Sequence, residues 1–254
     1  MESKIENPVS FLDHILDSLL NLFYPEVCFI CADPIVHRKE RGVCTKCLNK
    51  ARDLRLKPPV CSSCGLPMPN FESGADVLCG NCILQPPAYS GARSFGYYSG
   101  ELGRLIQGLK FNNRRNLVAL LVPFMIQAYY GSWDRDDFDL VVPVPLHPKR
   151  RRSRGYNQSE LLARLLAHRT GIPFINSVLV RTRSTLPQVG LTDTQRRENV
   201  RNAFQCINSR QISGRRILLI DDVMTTGATA SSASAALKKG GALRVSVLTL
   251  ARTE

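Results

Sequence analysis

Apolar residues in the C-terminal part of the chain alternate between two patterns. Continuous apolar runs predict four buried strands, at residues 139–146, 178–181, 216–220 and 244–250. Apolar residues at helical spacing predict four helices, at residues 100–110, 116–130, 157–169 and 229–239. Strands that alternate with helices indicate an α/β domain built on a parallel sheet. Such sheets bind their ligands in the crevice beyond the carboxyl ends of the strands.

The N-terminal residues have a helical pattern of their own. Asn7 and Pro8 are typical of a helix start, and apolar residues follow at helical spacing from Leu12 to Phe23. The polar face has acids but no Lys or Arg, so we expect this helix to pack on the protein rather than on a membrane. Residues 85–87 are typical of a linker. The sequence therefore predicts an N-terminal amphipathic helix (1–26), a small cysteine-rich domain (27–88) and the α/β domain (89–254).

No stretch of the sequence is long and apolar enough to span a bilayer. The longest, residues 117–130, is shorter than the roughly 18 to 20 residues needed and is interrupted by Pro123 and Gln127. The first residues are polar and acidic, unlike a secretory signal. We therefore expect a soluble, cytoplasmic protein.

Eight of the nine cysteines form four Cys-x-x-Cys pairs. The pairs are Cys28/Cys31, Cys44/Cys47, Cys61/Cys64 and Cys79/Cys82. Two such pairs complete a tetrahedral thiolate site, so the spacing predicts two structural zinc sites in a region with little apolar material to form a core. The pairing either follows the chain order or is interleaved, first pair with third, and His37 is an alternative ligand. Cys206 stands apart and is expected to fill space.

The net charge of +13 is unevenly distributed along the chain. Residues 1–90 contain 9 Lys and Arg against 10 Asp and Glu, whereas residues 91–254 contain 25 against 11. The basic excess therefore belongs to the C-terminal part. It favours anionic partners such as phosphorylated metabolites, nucleic acid or an anionic membrane, without choosing among them.

The most informative polar residues follow the predicted strand 216–220. Asp221 and Asp222 come first, and a Thr-rich turn at residues 225–229 then opens a helix. Backbone N–H groups at a helix start, together with Thr hydroxyls, can hold a phosphate. Paired carboxylates suit sugar hydroxyls or a hydrated Mg²⁺. The turn matches neither the P-loop nor the dinucleotide-binding glycine pattern.

This segment resembles the ribose-phosphate motif of type I phosphoribosyltransferases, which use 5-phosphoribosyl-1-pyrophosphate (PRPP). The resemblance implies that Asp221 and Asp222 hold the ribose hydroxyls and favour the positive charge that develops on the sugar during transfer. It assigns PRPP binding to the two acids and to Val223, Met224, Thr225, Thr226, Gly227, Ala228 and Thr229. It also implies Mg²⁺ on the departing pyrophosphate.

Motifs along nearly the whole chain resemble the ComF/GntX competence family, a double zinc ribbon joined to a phosphoribosyltransferase domain. These motifs are the four cysteine pairs and residues 109–111, 142–147, 154–158, 188–191 and 196–200. The resemblance implies a role in the uptake and use of external DNA and leaves the reaction open. The protein is then either a Mg²⁺-dependent phosphoribosyltransferase, or a non-catalytic factor that binds single-stranded DNA or senses PRPP. DNA-uptake proteins are expected partners, and a homodimer is compatible with the resemblance.

A basic stretch follows the strand predicted at 139–146. In the resembled fold the turn after this strand offers N–H groups to pyrophosphate, which implies Val144, Leu146 and His147 as donors and Lys149 as a nearby cation. His147 is either a general acid or base, or a structural residue. The arginines that follow either bind pyrophosphate and DNA or form a solvated basic loop. They are Arg150, Arg151, Arg152 and Arg154.

Residues 182–201 form a polar segment that is long for a connection. The resemblance implies a lid over PRPP, which would bring Gln188, Arg196 and Arg197 to the ligand. The alternative is a surface helix at residues 192–200. Lys110 is likewise either a cation of the binding cleft or a solubilising charge.

Overall fold

The structure, a computed structural model, describes residues 26–35, 42–71, 77–183 and 192–253. The helix predicted from Leu12 to Phe23 lies outside these residues, as do His37 and Gln188. The chain divides into two compact units, Met1–Asn49 and Lys50–Glu254. The second cysteine quartet therefore belongs to the same unit as the sheet, and the domain boundaries expected from the sequence stay a prediction.

Eight helices and six strands are found in the described part of the chain, besides three short 3-10 helices. In chain order they are α1 (Thr45–Asp53), α2 (Gly80–Leu84), β1 (Gly91–Tyr97), α3 (Gly100–Phe111), α4 (Val118–Tyr130), β2 (Leu140–Pro143), α5 (Pro148–Arg154), α6 (Gln158–Thr170), β3 (Leu179–Arg181), α7 (Asp193–Val200), β4 (Phe204–Cys206), β5 (Arg216–Met224), α8 (Ala228–Lys239) and β6 (Arg244–Arg252).

The main sheet has the strand order β1-β6-β5-β2, and all its neighbouring strands are parallel. Leu219 of β5 lies between Val142 of β2 and Val247 of β6. These residues are fully buried, and α8 covers the sheet with Ala233 and Leu237. The predicted α/β class with a parallel sheet is therefore confirmed. Because the strands are parallel, their carboxyl ends share one edge of the sheet.

Two strands were not expected from the sequence. The first is β1, where Arg93 and Ser94 interrupt the apolar pattern, yet the strand pairs with β6 along its length. The second is β4, which forms an antiparallel hairpin with β3 outside the main sheet. Both are stabilised by pairing with a distant partner, which local periodicity does not report.

The bounds of strands β2 and β5 also differ from those predicted. Strand β2 is shorter than predicted and ends at Pro143, although the Val144 N–H still donates to the Ile220 carbonyl of β5. Strand β5 is longer than predicted and runs through Asp221 and Asp222 to Met224, because its pairing with β6 continues to Arg252. The two acids therefore project from a strand end and not from a loop.

The basic stretch is a helix rather than a loop, and Arg151 and Arg152 on it are exposed to solvent. Helix α5 begins after His147, whose Nδ1 accepts a hydrogen bond from the Lys149 N–H at 3.2 Å, and Pro148 occupies the first turn. It ends at Gly155 in the left-handed region, φ 78°. Residues 193–200 are also helical, as α7, with Thr192 as cap. Among the described residues, no helix has the length and apolar composition needed to cross a bilayer.

Candidate functional site

A cleft of about 1050 Å³ opens at the carboxyl edge of the sheet. Strand β5, helices α3, α5 and α6 and the β3–β4 hairpin contribute its walls. The charged residues that line it are Lys110, Arg150, Arg154, Arg181, Asp221 and Asp222. With four cations against two acids, the cleft favours a ligand with several negative charges.

Asp221 is held in place by two hydrogen bonds to one of its oxygens. Its Oδ1 accepts from the Ser159 hydroxyl at 2.8 Å and from the Asp222 N–H at 2.9 Å. Burial first, and then the charge of Asp222, raise the pKa of Asp221 to about 7. An acid with such a pKa exchanges a proton near neutrality, as residues of functional sites often do.

Asp222 forms an ion pair with Lys110 inside the cleft. The Lys110 Nζ lies 2.9 Å from the Asp222 Oδ1, and the ammonium also lies 5.8 Å from the Tyr98 ring centroid. Burial alone would lower the pKa of Lys110, but the charge of Asp222 raises it above its ordinary value. Of the two interpretations of Lys110, the structure supports a cation of the cleft.

The second oxygen of Asp222 has no hydrogen-bond partner within the described part of the chain. Asp222 is 4% exposed, and its Oδ2 is buried. A buried carboxylate oxygen without a partner costs free energy, on the order of 1–3 kcal/mol or more. Because Asp222 lines the cleft, a ligand hydroxyl can supply the missing donor.

A tight turn after β5 connects the acids to helix α8. Gly227 has φ 79°, and a Cβ there would lie 2.9 Å from the Tyr89 hydroxyl oxygen, so glycine is required by both conformation and space. The Thr226 hydroxyl accepts from the Ala228 N–H at 3.4 Å. Thr225 and Thr229 line the cleft beside Asp222. This places Thr hydroxyls beside the N-terminal turn of a helix, as phosphate binding requires.

The turn after β2 provides fewer N–H donors than the sequence implied. The Val144 N–H donates to the Ile220 carbonyl at 2.9 Å and is therefore used by the fold. Leu146 lines the cleft, whereas His147 and Lys149 are not among its lining residues. The Asn157 side chain fixes this turn by donating to the Val144 carbonyl at 3.0 Å.

The arginines of α5 divide into two groups. Arg150 and Arg154 line the cleft. Arg151 instead pairs with Glu160, 3.3 Å away, and Arg152 is exposed. Arg154 donates to the Gln158 side chain at 2.6 Å, and its guanidinium lies 5.3 Å from the ring centroid of Phe111.

Ser159 and Arg181 are cleft residues that the sequence analysis did not single out. Ser159 has an ordinary helix-start pattern, although it contacts Asp221 across 62 positions of sequence. Arg181 ends the short strand β3 and is only 8% exposed, and an arginine at the end of an apolar run was the signal available for it. Arg196 and Arg197 belong to α7, but their side chains lie outside the described part of the structure.

Each cysteine quartet is assembled in chain order. The four sulfur atoms of Cys28, Cys31, Cys44 and Cys47 lie within 4.8 Å of one another, and so do those of Cys61, Cys64, Cys79 and Cys82. Cys31 and Cys44 are 3.6 Å apart at sulfur, as are Cys64 and Cys79, against about 3.8 Å for a tetrahedron with 2.3 Å zinc–sulfur bonds. Both quartets fit zinc, so the two predicted four-cysteine sites are confirmed in sequential order.

Backbone amides favour the thiolate form of one cysteine in each quartet. The Cys79 N–H donates to the Cys61 sulfur at 3.3 Å, and the Cys44 N–H to the Cys28 sulfur at 3.4 Å. Burial alone would raise the pKa of both thiols, but the amide donors lower it, to about 7 for Cys61 and about 6 for Cys28.

Comparison with known proteins agrees with this architecture. The family model described as "Double zinc ribbon domain" matches residues 19–83. The chain is 32% identical over 235 residues to the DNA utilization protein YhgH of Salmonella typhimurium, covering 91% of this chain and 99% of that protein. It is 32% identical over 234 residues to competence protein F of Haemophilus influenzae, covering 91% and 98%.

A solved structure is similar at a much lower level. The glutamine PRPP amidotransferase from B. subtilis, complexed with ADP and GMP, matches with a TM-score of 0.37 and 21% identity. The match covers 54% of this chain and 26% of that chain, so this chain spans about a quarter of the amidotransferase.

Proposed function

The chain belongs to the family of competence protein F and the DNA utilization protein YhgH, and on that premise we propose that its cleft binds PRPP or a closely related ribose phosphate. One observation supports this above the others: Asp222 lines the cleft, and its buried Oδ2 has no hydrogen-bond donor among the described residues. A ribose hydroxyl provides such a donor. The turn at Thr225–Thr229 supplies the phosphate site next to it.

The cations of the cleft match the other end of the proposed ligand. Arg150, Arg154 and Arg181 line the same cavity as the acids, and a sugar with phosphate and pyrophosphate groups supplies negative charge for them. In phosphoribosyl transfer the sugar becomes positively charged, and Asp221 and Asp222 would stabilise that charge. Binding alone requires the same contacts, so a PRPP sensor remains the alternative on this site.

Mg²⁺ accompanies PRPP chemistry, where it assists the departure of pyrophosphate. The acids suit it as neighbours and not as direct ligands. The Asp222 Oδ1 faces the Lys110 ammonium at 2.9 Å, and the Asp221 Oδ1 already accepts two hydrogen bonds. We therefore propose that pyrophosphate oxygens and water, rather than these carboxylates, supply the direct ligands of Mg²⁺.

A pair of sugars tests the proposal directly. Ribose 5-phosphate has the 2-hydroxyl that would donate a hydrogen bond to Asp222, and 2-deoxyribose 5-phosphate lacks this hydroxyl. We expect the zinc-loaded protein to bind the deoxy sugar at least about tenfold more weakly, because a buried acceptor is left unpaired. The Asp222→Asn variant should lose this preference, whereas Asp136→Asn, at an exposed acid, should keep it. Equal affinity of the wild type for both sugars contradicts the proposal.

Single-stranded nucleic acid is a second candidate ligand, favoured by the rim of the cleft. Phe111 is 72% exposed at this rim, with the Arg154 guanidinium 5.3 Å from its ring centroid. An exposed aromatic ring beside a cation can stack an unpaired base while the cation contacts phosphate. The role of the relatives in DNA utilization and competence agrees with such a ligand. Zinc thiolates persist in a reducing compartment, so we place this activity in the cytoplasm.

Fluorescence anisotropy with a labelled oligonucleotide separates this candidate from PRPP binding. Arg154→Ala should weaken binding and reduce the slope of affinity against salt by about 1. Phe111→Ala should weaken binding with an unchanged slope, and Tyr130→Ala controls for loss of an exposed aromatic residue. Binding that is indifferent to Phe111 and Arg154 excludes the rim as the DNA site.

A further inference from the structure

The turn at Thr225–Thr229, proposed above to hold phosphate, is called the phosphate turn below. The second cysteine quartet faces it across a cavity of about 610 Å³. Cys64, Cys79 and Cys82 line one side of this cavity, and residues 224–228 line the other. Both belong to the compact unit Lys50–Glu254. The turn thus has two faces, one towards the cleft that contains Asp222 and one towards the second zinc cluster.

Arg252 is bound to both sides of this cavity. It is the last residue of β6 and is only 5% exposed. Its guanidinium donates to the Cys64 carbonyl, within the Cys61–Cys64 knuckle of the second quartet. Its backbone is paired with Met224, the last residue of β5, and the next N–H, of Thr253, donates to the Met224 carbonyl at 3.0 Å. A movement of the knuckle is therefore passed to the residue that begins the phosphate turn.

The same knuckle is also attached to the edge strand β1. The Ala92 N–H donates to the Ser63 carbonyl at 2.7 Å, and Arg93 donates to the Ser62 carbonyl at 3.0 Å. A Cβ on Gly65 would lie 2.5 Å from the Ala92 carbonyl oxygen, so only glycine permits this approach. The second cluster is thus packed against the sheet by backbone contacts and is not a loosely tethered module.

Electrostatics give Arg252 a second role at this junction. A zinc ion with four thiolates has a net charge of −2. Among the described residues, no carboxylate is found in an ion pair with Arg252, whose guanidinium instead donates to the Cys64 carbonyl beside the cluster. The loaded cluster is therefore the counter-ion that makes burial of this guanidinium favourable.

We infer that zinc in the second cluster, acting through Arg252, holds the phosphate turn in its binding geometry. Arg252 is thus a positioning residue for the turn, and the second cluster regulates the cleft as well as stabilising the fold. The consequence for phosphate affinity rests on the proposed function, but the ordering of the turn does not.

Hydrogen exchange of the full zinc-loaded chain, without any ligand, tests whether Arg252 orders the phosphate turn. Arg252→Gln removes the charge and retains both cysteine quartets, and we expect amides of residues 224–229 to exchange at least about fivefold faster. The control is Arg244→Gln, on the same strand at its other end, where the side chain contacts Asp137. Unchanged exchange at residues 224–229 in Arg252→Gln overturns the inference.

A variant that loses zinc from the second cluster is the second test of the inference. Cys61→Ser should lower the zinc content from two ions to one and speed the same amides, whereas Cys31→Ser, in the first quartet, controls for loss of one zinc as such. If both variants affect residues 224–229 equally, the coupling is not specific to the second cluster and the inference is wrong.

Measurements of PRPP and zinc affinity separate this inference from the proposed function. If the wild type binds PRPP, linkage requires that saturating PRPP strengthen zinc binding at the second cluster by the factor by which zinc raises PRPP affinity. Arg252→Gln should reduce both effects together. A wild type that binds no PRPP refutes the proposed function, and the exchange experiment still decides the inference.

Discussion

Asp221 is an acid whose charge the fold opposes, so removing that charge should stabilise the protein. Its pKa is raised from 3.8 to about 7, first by burial and second by the charge of Asp222. This difference corresponds to about 4 kcal/mol, and screening by water in the open cleft leaves about 2 kcal/mol as the expected gain. In Asp221→Asn, the amide oxygen can still accept from Ser159 and from the Asp222 N–H.

The gain should depend on pH in a defined direction. A carboxyl whose pKa is higher in the folded chain takes up a proton on folding, so its charge costs most above about pH 7 and costs nothing below about pH 4. Urea unfolding followed by circular dichroism, at about pH 8 and about pH 5 in zinc-containing buffer, measures this. We expect Asp221→Asn to be more stable than the wild type at about pH 8 and to lose most of that advantage at about pH 5.

Asp139, whose pKa is lowered rather than raised by the fold, serves as the control. Arg216 lowers the pKa of Asp139 to about 2, so the charge of Asp139 stabilises the fold at every pH above the ordinary carboxyl range. Asp139→Asn should therefore lose stability at both pH values. The reasoning is refuted if Asp221→Asn gains nothing at about pH 8, or gains equally at both values.

Three further changes test other contacts of the site. Lys110→Met leaves Asp222 buried without its cation and should lower the free energy of unfolding by about 3–5 kcal/mol in urea; a change below about 1 kcal/mol would mean that the ion pair is screened. Gly227→Ala forces a Cβ against the Tyr89 hydroxyl at φ 79° and should cost about 1–2 kcal/mol in thermal unfolding, with weaker PRPP binding. Chelation should remove two zinc ions per chain, counted by mass spectrometry, and lower the melting temperature; a protein that is unchanged without metal contradicts the role of zinc as a core.

The parts of the site that are local in sequence could be predicted from it. Asp221, Asp222 and the turn to Thr229 are consecutive, and the acids do meet the turn at the end of β5. The two zinc sites were also predictable, because each Cys-x-x-Cys pair forms its own knuckle.

Residues that reach the site from distant segments could not be predicted in the same way. Ser159 has nothing unusual next to it in sequence, and Arg181 has only the apolar run that it ends. The packing of α6 and of the β3–β4 hairpin brings them to the cleft. The Val144 N–H was expected to face pyrophosphate, but tertiary pairing with Ile220 uses it. Arg252 is a third example, since its contact with Cys64 joins residues 188 positions apart.

The position of the second zinc cluster changes the view of the cysteine-rich region. The sequence separated it from the α/β domain by a linker at residues 85–87. In the structure, Pro86 and Pro87 line the same cavity as the cluster and the phosphate turn. Zinc binding and ligand binding are therefore expected to respond to each other within one compact unit.

Calorimetric titration of PRPP into the zinc-loaded wild type and Asp222→Asn tests the central claim most directly. The account predicts saturable binding by the wild type and affinity at least about tenfold lower in the variant. The amide keeps its one oxygen facing Lys110 and replaces Oδ2 with an NH2 group, which cannot accept from a ribose hydroxyl. No binding by the folded wild type, or equal affinity in the two proteins, would contradict it.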